Sequence, residues 1–115
     1  MAFSEIEIKR IEKAIDGFME KRRPPVQIRD EVDVGYRINK QSVELFELRA
    51  YFKEPNQKVE IPFAKVTYVK TQKLWKLFLH KSDMKWHSYE PLPTAKTLEK
   101  LLDAVDEDEY RYFFG

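Results

Sequence analysis

The sequence predicts a two-layer α+β domain in which an N-terminal and a C-terminal helix cover one antiparallel sheet. Apolar residues recur every three or four positions near both ends of the chain, and they alternate at every second position through its middle. Short turns separate the alternating stretches, which favours a meander, and two one-sided helices must bury their stripes against it. We therefore expect a single domain over residues 1–115, with the order helix, five strands, helix.

The first helix begins at a complete start signal. Ser4 can cap it while Glu7 reaches back, and Phe3 with Ile8 occupies the two positions of a hydrophobic staple. The two consecutive prolines after the basic cluster cannot continue a helix, so the helix is expected to end near Arg22. One apolar stripe follows the start signal and consists of Ile8, Ile11, Ile15, Phe18 and Met19.

A period of two predicts a first strand over residues 32–38 and a second from residue 42 to about 52. The alternation then breaks, because continuing it would turn Glu47 inward, so we expect a bulge or a strand buried on both faces near Phe46. A tight hairpin between the two strands would set Ile38 opposite Val43, Tyr36 opposite Leu45, and Arg37 opposite Glu44.

Residues 53–60 are predicted to form a loop, because Pro55 lies among polar residues, and three strands follow at 61–69, 74–81 and 84–89. Turns of even length between these strands would keep their apolar residues on one side of the sheet. This core side is expected to carry Ala64, Val66, Tyr68, Trp75, Leu77, Leu79, Met84 and Trp86. The opposite side would carry Phe63, Lys65, Thr67, Val69, Lys76, Phe78, His80, Lys85, His87 and Tyr89.

The C-terminal helix is predicted to start at Thr97, a good capping residue. Asp106 with Glu109 fits a second capping box, which would lead Tyr110 and the two phenylalanines after it into a terminal apolar contact. The acidic run itself has neither the spacing nor the glycine of a calcium loop. The helix would bury one stripe formed by Leu98, Leu101, Leu102 and Val105.

Several stretches of the sequence are similar to one known family. They are EKRRPP after the first helix, GYRI with SVELFELR, AKVTYVK with the Trp75–Lys76 pair, KWHSYEP, and VDEDEYRYFFG at the end. From about Ser4 to Gly115 the chain resembles the small bacterial proteins known as domain of unknown function 3024. The resemblance implies a bacterial, cytosolic domain that stands alone, and it assigns no catalytic or binding role to any residue here.

Composition narrows the classes of function. The absence of cysteine excludes a disulfide scaffold, a thiolate zinc site and a cysteine nucleophile. The N-terminus lacks the layout of a signal peptide and no apolar run approaches about 20 residues, so we expect a cytosolic protein without a membrane partner.

Charge is unevenly distributed along the chain: residues 49–87 hold nine basic and three acidic residues, whereas residues 88–115 hold three basic and seven acidic ones. The two parts either solvate each other or leave a local basic patch.

The side of the sheet opposite the core is the strongest candidate for a binding surface. Lysines interleaved with aromatic rings offer charge for a phosphate backbone and rings for base stacking, which is typical of single-stranded nucleic acid binding. The alternative is an ordinary solvent-facing surface, or one covered by the chain after residue 89 or by another subunit. The candidate residues are Lys65, Lys76, Phe78, His80, Lys85, His87 and Tyr89.

Other chemistry has less support in the sequence. His80 and His87 supply only two imidazoles where zinc needs three or four ligands, so neither a metal nor a cofactor is expected. No catalytic residue is assigned, although an enzyme whose site is built from scattered residues stays open as an alternative. The favoured interpretation is a non-enzymatic binding or interaction module of unspecified partner. Homo-oligomers could form through a sheet edge or through the aromatic tail at 110–114.

Overall fold

A computed structural model describes residues 3–51 and 53–113 and confirms the α+β fold class. The predicted order of N-terminal helix, antiparallel meander and C-terminal helix is found. The helices are α1 (Glu5–Arg22) and α2 (Leu98–Glu107). The strands are β1 (Val32–Asn39), β2 (Ser42–Tyr51), β3 (Glu54–Val69), β4 (Leu74–His80), β5 (Trp86–Ser88) and β6 (Thr94–Ala95).

The sheet runs in the order β1-β2-β3-β4-β5, and every neighbouring pair is antiparallel. β6 was not predicted. It pairs with the start of β4, through Ala95 opposite Trp75, while β5 pairs with the other end of the same strand. The two helices pack against each other and against one face of this sheet, so the protein has two layers with the core between them.

The start of α1 is as the sequence predicts. The backbone N–H of Ser4 donates to Glu7 Oε1 at 2.8 Å, and the N–H of Glu7 donates to Ser4 Oγ at 3.2 Å. Phe3 is buried and stacks on Trp75, with 5.8 Å between ring centroids, so the residue before the cap anchors the helix to β4. The stripe buries Ile11, Ile15 and Phe18, each contributing about 1.5–3 kcal/mol of hydrophobic stabilisation.

The first hairpin has the predicted register, with all three predicted pairs observed. Both predicted irregularities near Phe46 also occur. Between β2 and β3, Leu45 pairs with Ala64 and Phe46 with Pro62, so Phe63 is an extra residue and forms a bulge on β3. Leu45 and Phe46 are both buried although they point to opposite faces, since Leu45 faces the helices and the Phe46 ring packs over Gly35.

The predicted loop at residues 53–60 is wrong, because β3 already begins at Glu54. Pairing with β2 continues to Tyr51 opposite Glu54, and the irregularity between Ala50 and Tyr51 accommodates the residues around Pro55. Pairing of Glu54 and of residues 58–60 with β2 therefore outweighs the turn preference of the segment. Among the residues described, β4 pairs with only the Ala64–Val69 part of β3, so Pro55 lies in a part of β3 that β4 does not reach, where proline is tolerated.

Apart from Phe63, the face assignment is correct through β4 and wrong beyond it. Tyr68 opposite Trp75 and Ala64 opposite Leu79 share the core side as predicted. The turn to β5, however, has an odd number of residues, 81–85, and Met84 in it adopts φ 66°. Trp86 consequently pairs with His80 on the side away from the helices, and Met84 is 79% exposed. A turn with an odd number of residues reverses the side of the sheet that each later residue faces.

Two aromatic residues expected on the outside are buried. Phe63 is turned into the core by the bulge and keeps only 5% of its surface exposed. Tyr89 is 3% exposed and packs against Phe113, with 4.9 Å between ring centroids. The two predictions of exposure are wrong for different reasons. Phe63 is the extra residue of the bulge in β3, whereas Tyr89 follows the odd turn, which reverses the facing of the residues after it.

The predicted stripe of α2 is buried, and Thr97 Oγ1 accepts a hydrogen bond from the N–H of Lys100 at 3.4 Å. The second capping box is wrong. Asp108 is the left-handed residue that ends α2, with φ 44°, and its Oδ1 accepts from the N–H of Phe113 at 3.0 Å. This carboxylate turns the tail back, so Phe113 is buried, whereas Tyr112 is 55% exposed. Phe114 lies outside the described residues.

An ion pair fastens the end of α1 to the start of β1. Arg23 donates from Nε to Asp33 Oδ1 and from Nη2 to Oδ2, each at 2.9 Å. The hydrogen bond from Arg23 is the main cause that lowers the pKa of the Asp33 carboxyl below its ordinary value; burial opposes this effect. The pair therefore stabilises the fold only while Asp33 is ionised.

We predict that Gly35→Ala destabilises the protein by about 1–3 kcal/mol, the usual effect of overpacking. The added Cβ would lie 2.8 Å from Phe46 Cε1. Gly17→Ala in α1 is the matched control, because no atom lies within 4 Å of its added Cβ, and it should stabilise the helix by about 1 kcal/mol. Urea unfolding measures both effects. Equal stabilisation by the two substitutions would show that Phe46 does not hold its position against β1.

We also predict that Asp33→Asn lowers the urea midpoint at pH 7 and that this difference from the unmodified protein disappears in acid. Because the folded-state pKa of Asp33 is lowered, its stabilisation is present above the unfolded-state value of about 4 and is lost as the pH falls through the folded-state value. Urea unfolding at pH 7 and near pH 2 tests the prediction. A difference that stays constant with pH would contradict it.

Candidate nucleic-acid interface

The side of the sheet opposite the helices, called the outer face below, carries rows of paired residues, two of which each cross five strands. Because directly paired residues of antiparallel strands project to the same side, the strand register defines each row. The first row runs through Arg37, Glu44, Lys65, Phe78 and Ser88 from β1 to β5. The second row runs through Asn39, Ser42, Thr67, Lys76 and Thr94.

Lys65 lies at the centre of a basic-aromatic cluster, which comprises Lys65, Phe78, His80 and Trp86. Its ammonium is 5.1 Å from the ring centroid of Phe78 and 5.0 Å from that of Trp86, within the range of cation–π attraction. The imidazole of His80 meets the Trp86 ring edge-on at 5.0 Å. All four side chains are half-buried, so within the described chain the cluster keeps surface open to solvent.

Trp86 is the one residue of this cluster that the sequence prediction missed, because it was assigned to the core. Asp83 marks this turn in the sequence but does not fix its length. The side chain of Asp83 accepts a hydrogen bond from the N–H of Lys85 at 3.0 Å, and Met84 between them is left-handed. An aspartate that bonds the backbone two residues on is a known turn former, and here it closes a five-residue turn rather than a four-residue one.

Of two further lysines predicted for this surface, Lys76 lies on the outer face and Lys85 lies in the turn next to the cluster. Lys76 on β4 is half-buried and pairs with Thr67, whose hydroxyl lies 2.7 Å from the hydroxyl of Ser42. Lys85 is exposed in the turn before Trp86. The outer face therefore combines ammonium groups, hydroxyl groups and aromatic rings on neighbouring strands.

His87 and Tyr89 do not join the cluster. His87 pairs with Leu79 and so faces the side of the helices at the sheet margin, where its Nε2 lies 2.8 Å from Asp83 Oδ2. This hydrogen bond is the main cause that lowers the pKa of Asp83. Tyr89 is in the core; burial, more than its acidic neighbours Asp108 and Glu109, raises the pKa of its phenol. The predicted contribution of Tyr89 to an exposed face is therefore wrong.

Two glutamates of β2 lie near basic side chains. Glu47 is half-buried opposite Val34, and its Oε2 accepts from Arg49 Nη2 at 3.0 Å. Glu44 lies between Arg37 and Lys65 in the first row. Within residues 3–51 and 53–113, no three histidine or carboxylate side chains are grouped closely enough to hold a metal ion.

A groove of about 540 Å³ lies on the opposite side of the protein, between α1 and α2. One wall carries Arg10, Lys13 and Lys21, and Lys21 Nζ approaches Asp103 on the other wall at 3.6 Å. Gly17 leaves room at its floor. Opposite charges on facing walls attract each other across the groove, so this feature is understood as part of the contact between the helices.

The architecture and the outer face define a small two-layer domain with one open sheet surface. The chain belongs to the family described as Domain of unknown function (DUF3024), whose model matches residues 3–115, and this confirms the resemblance noted in the sequence. Comparison with curated proteins gives no match, and comparison with solved structures gives none either. In the part of the chain that the structure describes, no helix combines the length and the apolar character needed to span a membrane.

We predict that His87→Ala raises the pKa of Asp83 towards its ordinary value, because it removes the hydrogen bond that chiefly lowers it. Carboxyl chemical shifts followed by NMR during an acid titration measure this directly. The control is His80→Ala, which removes the other imidazole near the turn without touching Asp83. An unchanged titration of Asp83 in His87→Ala would show that the hydrogen bond does not persist in solution.

Proposed function

We propose that this protein is a non-enzymatic binding domain whose ligand is single-stranded nucleic acid, held on the outer face. The observation that carries the proposal is the position of Lys65 between the rings of Phe78 and Trp86 on an open sheet surface. Proteins that bind single strands combine cationic groups, which follow the phosphates, with aromatic rings on which bases stack. Both components are present here within one cluster.

The arrangement suits a ligand that offers a planar base and an anionic phosphate at short separation. A base that stacks on Phe78 or Trp86 would bring its phosphate near the ammonium of Lys65, which the two rings already hold in place. Each base stacked on an aromatic ring contributes about 1–3 kcal/mol, largely independently of base identity. Binding is therefore expected to tolerate many sequences.

Charge sets the expected strength of binding. The net charge of the chain is only +1, and Glu44 lies beside Lys65 in the same row. Affinity should consequently be modest and should depend on the local ammonium groups of Lys65, Lys76 and Lys85 rather than on a field from the whole protein. If these three cations contact phosphates of a single strand, the logarithm of the association constant should fall with the logarithm of the salt concentration with a slope of about −2.

We predict that the protein binds a fluorescein-labelled thymidine or uridine 12-mer, measured by fluorescence anisotropy at low salt. Lys65→Gln and Phe78→Ala should each weaken binding about fivefold or more, since one removes a phosphate contact and the other a stacking ring. Lys9→Gln on the exposed side of α1 removes the same charge away from the outer face and serves as the matched control.

Three outcomes would contradict the proposal: no detectable binding, a salt slope near zero, or an equal loss of affinity in Lys9→Gln and Lys65→Gln. Tryptophan fluorescence adds a local measurement, because Trp75 is buried in the core and Trp86 lies in the cluster. Quenching by unlabelled oligonucleotide should occur in the unmodified protein and be absent in Trp86→Phe. Quenching that survives this substitution would place the ligand elsewhere.

A further inference from the structure

Within the described part of the chain, the edge of β1 that faces away from β2 has no partner strand. β1 stands at the end of the sheet, and no other strand among residues 3–51 and 53–113 pairs with it on the side away from β2. Its eight residues, VDVGYRIN, include neither proline nor lysine, the residues that commonly protect such edges. An edge of this length and composition invites pairing with another strand.

The register identifies which backbone groups this edge presents. Ala50 N–H of β2 donates to Glu31 O at 2.9 Å. Hydrogen-bonded pairs recur at every second residue of an antiparallel ladder, so the N–H groups of even-numbered β2 residues and odd-numbered β1 residues point at the opposite strand. The N–H groups of Val34, Tyr36 and Ile38 therefore point away from the sheet. Without a partner strand, they must be satisfied by water or by a side chain.

Asp33 occupies this edge with its own carboxylate. Val34 N–H donates to Asp33 Oδ1 at 2.8 Å, and Arg23 holds both carboxylate oxygens at 2.9 Å. The Asp33 side chain is only 14% exposed, so it is fixed in this position. The carboxylate thus takes the hydrogen bond that a neighbouring strand would use, and the guanidinium of Arg23 lies against the same end of the edge.

We propose that Asp33, positioned by Arg23, prevents β1 from pairing with the β1 strand of a second copy of this chain. A second copy is the occupant that the edge fits, because β1 is complementary to itself when two strands run antiparallel about Gly35. Val32 then lies opposite Ile38 and Val34 opposite Tyr36, with apolar side chains together on the helix side. The same register sets position 33 of one copy opposite Arg37 of the other, so no like charges meet.

Such a pairing is isologous and closes as a dimer, joining two sheets into one continuous sheet. The edge of β1 lies three strands away from Phe78 on β4, so the inference does not rest on nucleic acid binding. Its outcome and the outcome of the oligonucleotide titration can be read separately.

The test compares Asp33→Ala with Asp33→Asn. Both variants lose the charge that pairs with Arg23, but the asparagine side chain still offers an oxygen to the N–H of Val34, whereas alanine offers none. Analytical ultracentrifugation at about 100 μM should find Asp33→Asn and the unmodified protein monomeric and Asp33→Ala shifted to dimer, with self-association at least tenfold stronger. If Asp33→Ala does not fold, Asp33→Val replaces it, since valine also lacks an acceptor and favours strands.

Amide exchange locates the contact. In the dimeric variant the outward N–H of Tyr36 should become protected as the concentration rises, whereas the N–H of Gly35 bonds towards β2 and should be protected at every concentration. Three results would overturn the proposal: a monomeric Asp33→Ala, a dimer in which exchange at Tyr36 is unchanged, or an unmodified protein that already pairs through β1. If Asp33→Ala stays monomeric, the exposed edge of β1 would instead be a site for an extended segment of another protein.

Discussion

The antiparallel register across β2, β3 and β4 is the constraint on which the rest of the structure depends. It aligns Val43, Val66 and Leu77 in one fully buried row beneath the helices. The same register brings Glu44, Lys65 and Phe78 together on the opposite face. Because side chains alternate strictly along a strand, the burial of one row determines which residues the other face presents. Core and candidate binding surface are thus two results of one pairing.

Periodicity allowed the fold class, the first hairpin and both helix stripes to be predicted, because each depends on a repeated pattern that several residues share. The failures occur where a single residue changes the alternation. Phe63 is an extra residue in β3. The turn after His80 has five residues, one more than the four-residue turn that would have kept Trp86 on the core side. No composition signal marks either change strongly. The loop predicted around Pro55 failed differently, because pairing with β2 is a tertiary interaction that local turn propensity does not contain.

The candidate site was predicted in part for the same reasons. The alternation is unbroken in β4 and in the Ala64–Val69 part of β3. These stretches carry Lys65, Lys76, Phe78 and His80, which share the outer face. His87 and Tyr89 follow the odd turn and lie elsewhere, while Trp86 replaces them beside Lys65. The indole of Trp86 offers a stronger cation–π surface to Lys65 than an imidazole would.

The separation of the two faces has a consequence for how this protein can change over evolutionary time. The helices, the buried rows and the tail held by Asp108 supply the apolar burial that stabilises the fold. The half-exposed residues of the outer face contribute comparatively little of it. Substitutions there can therefore accumulate without unfolding the chain, so one stable scaffold can support surfaces of differing chemistry, and divergent ligand preferences can arise within a single architecture.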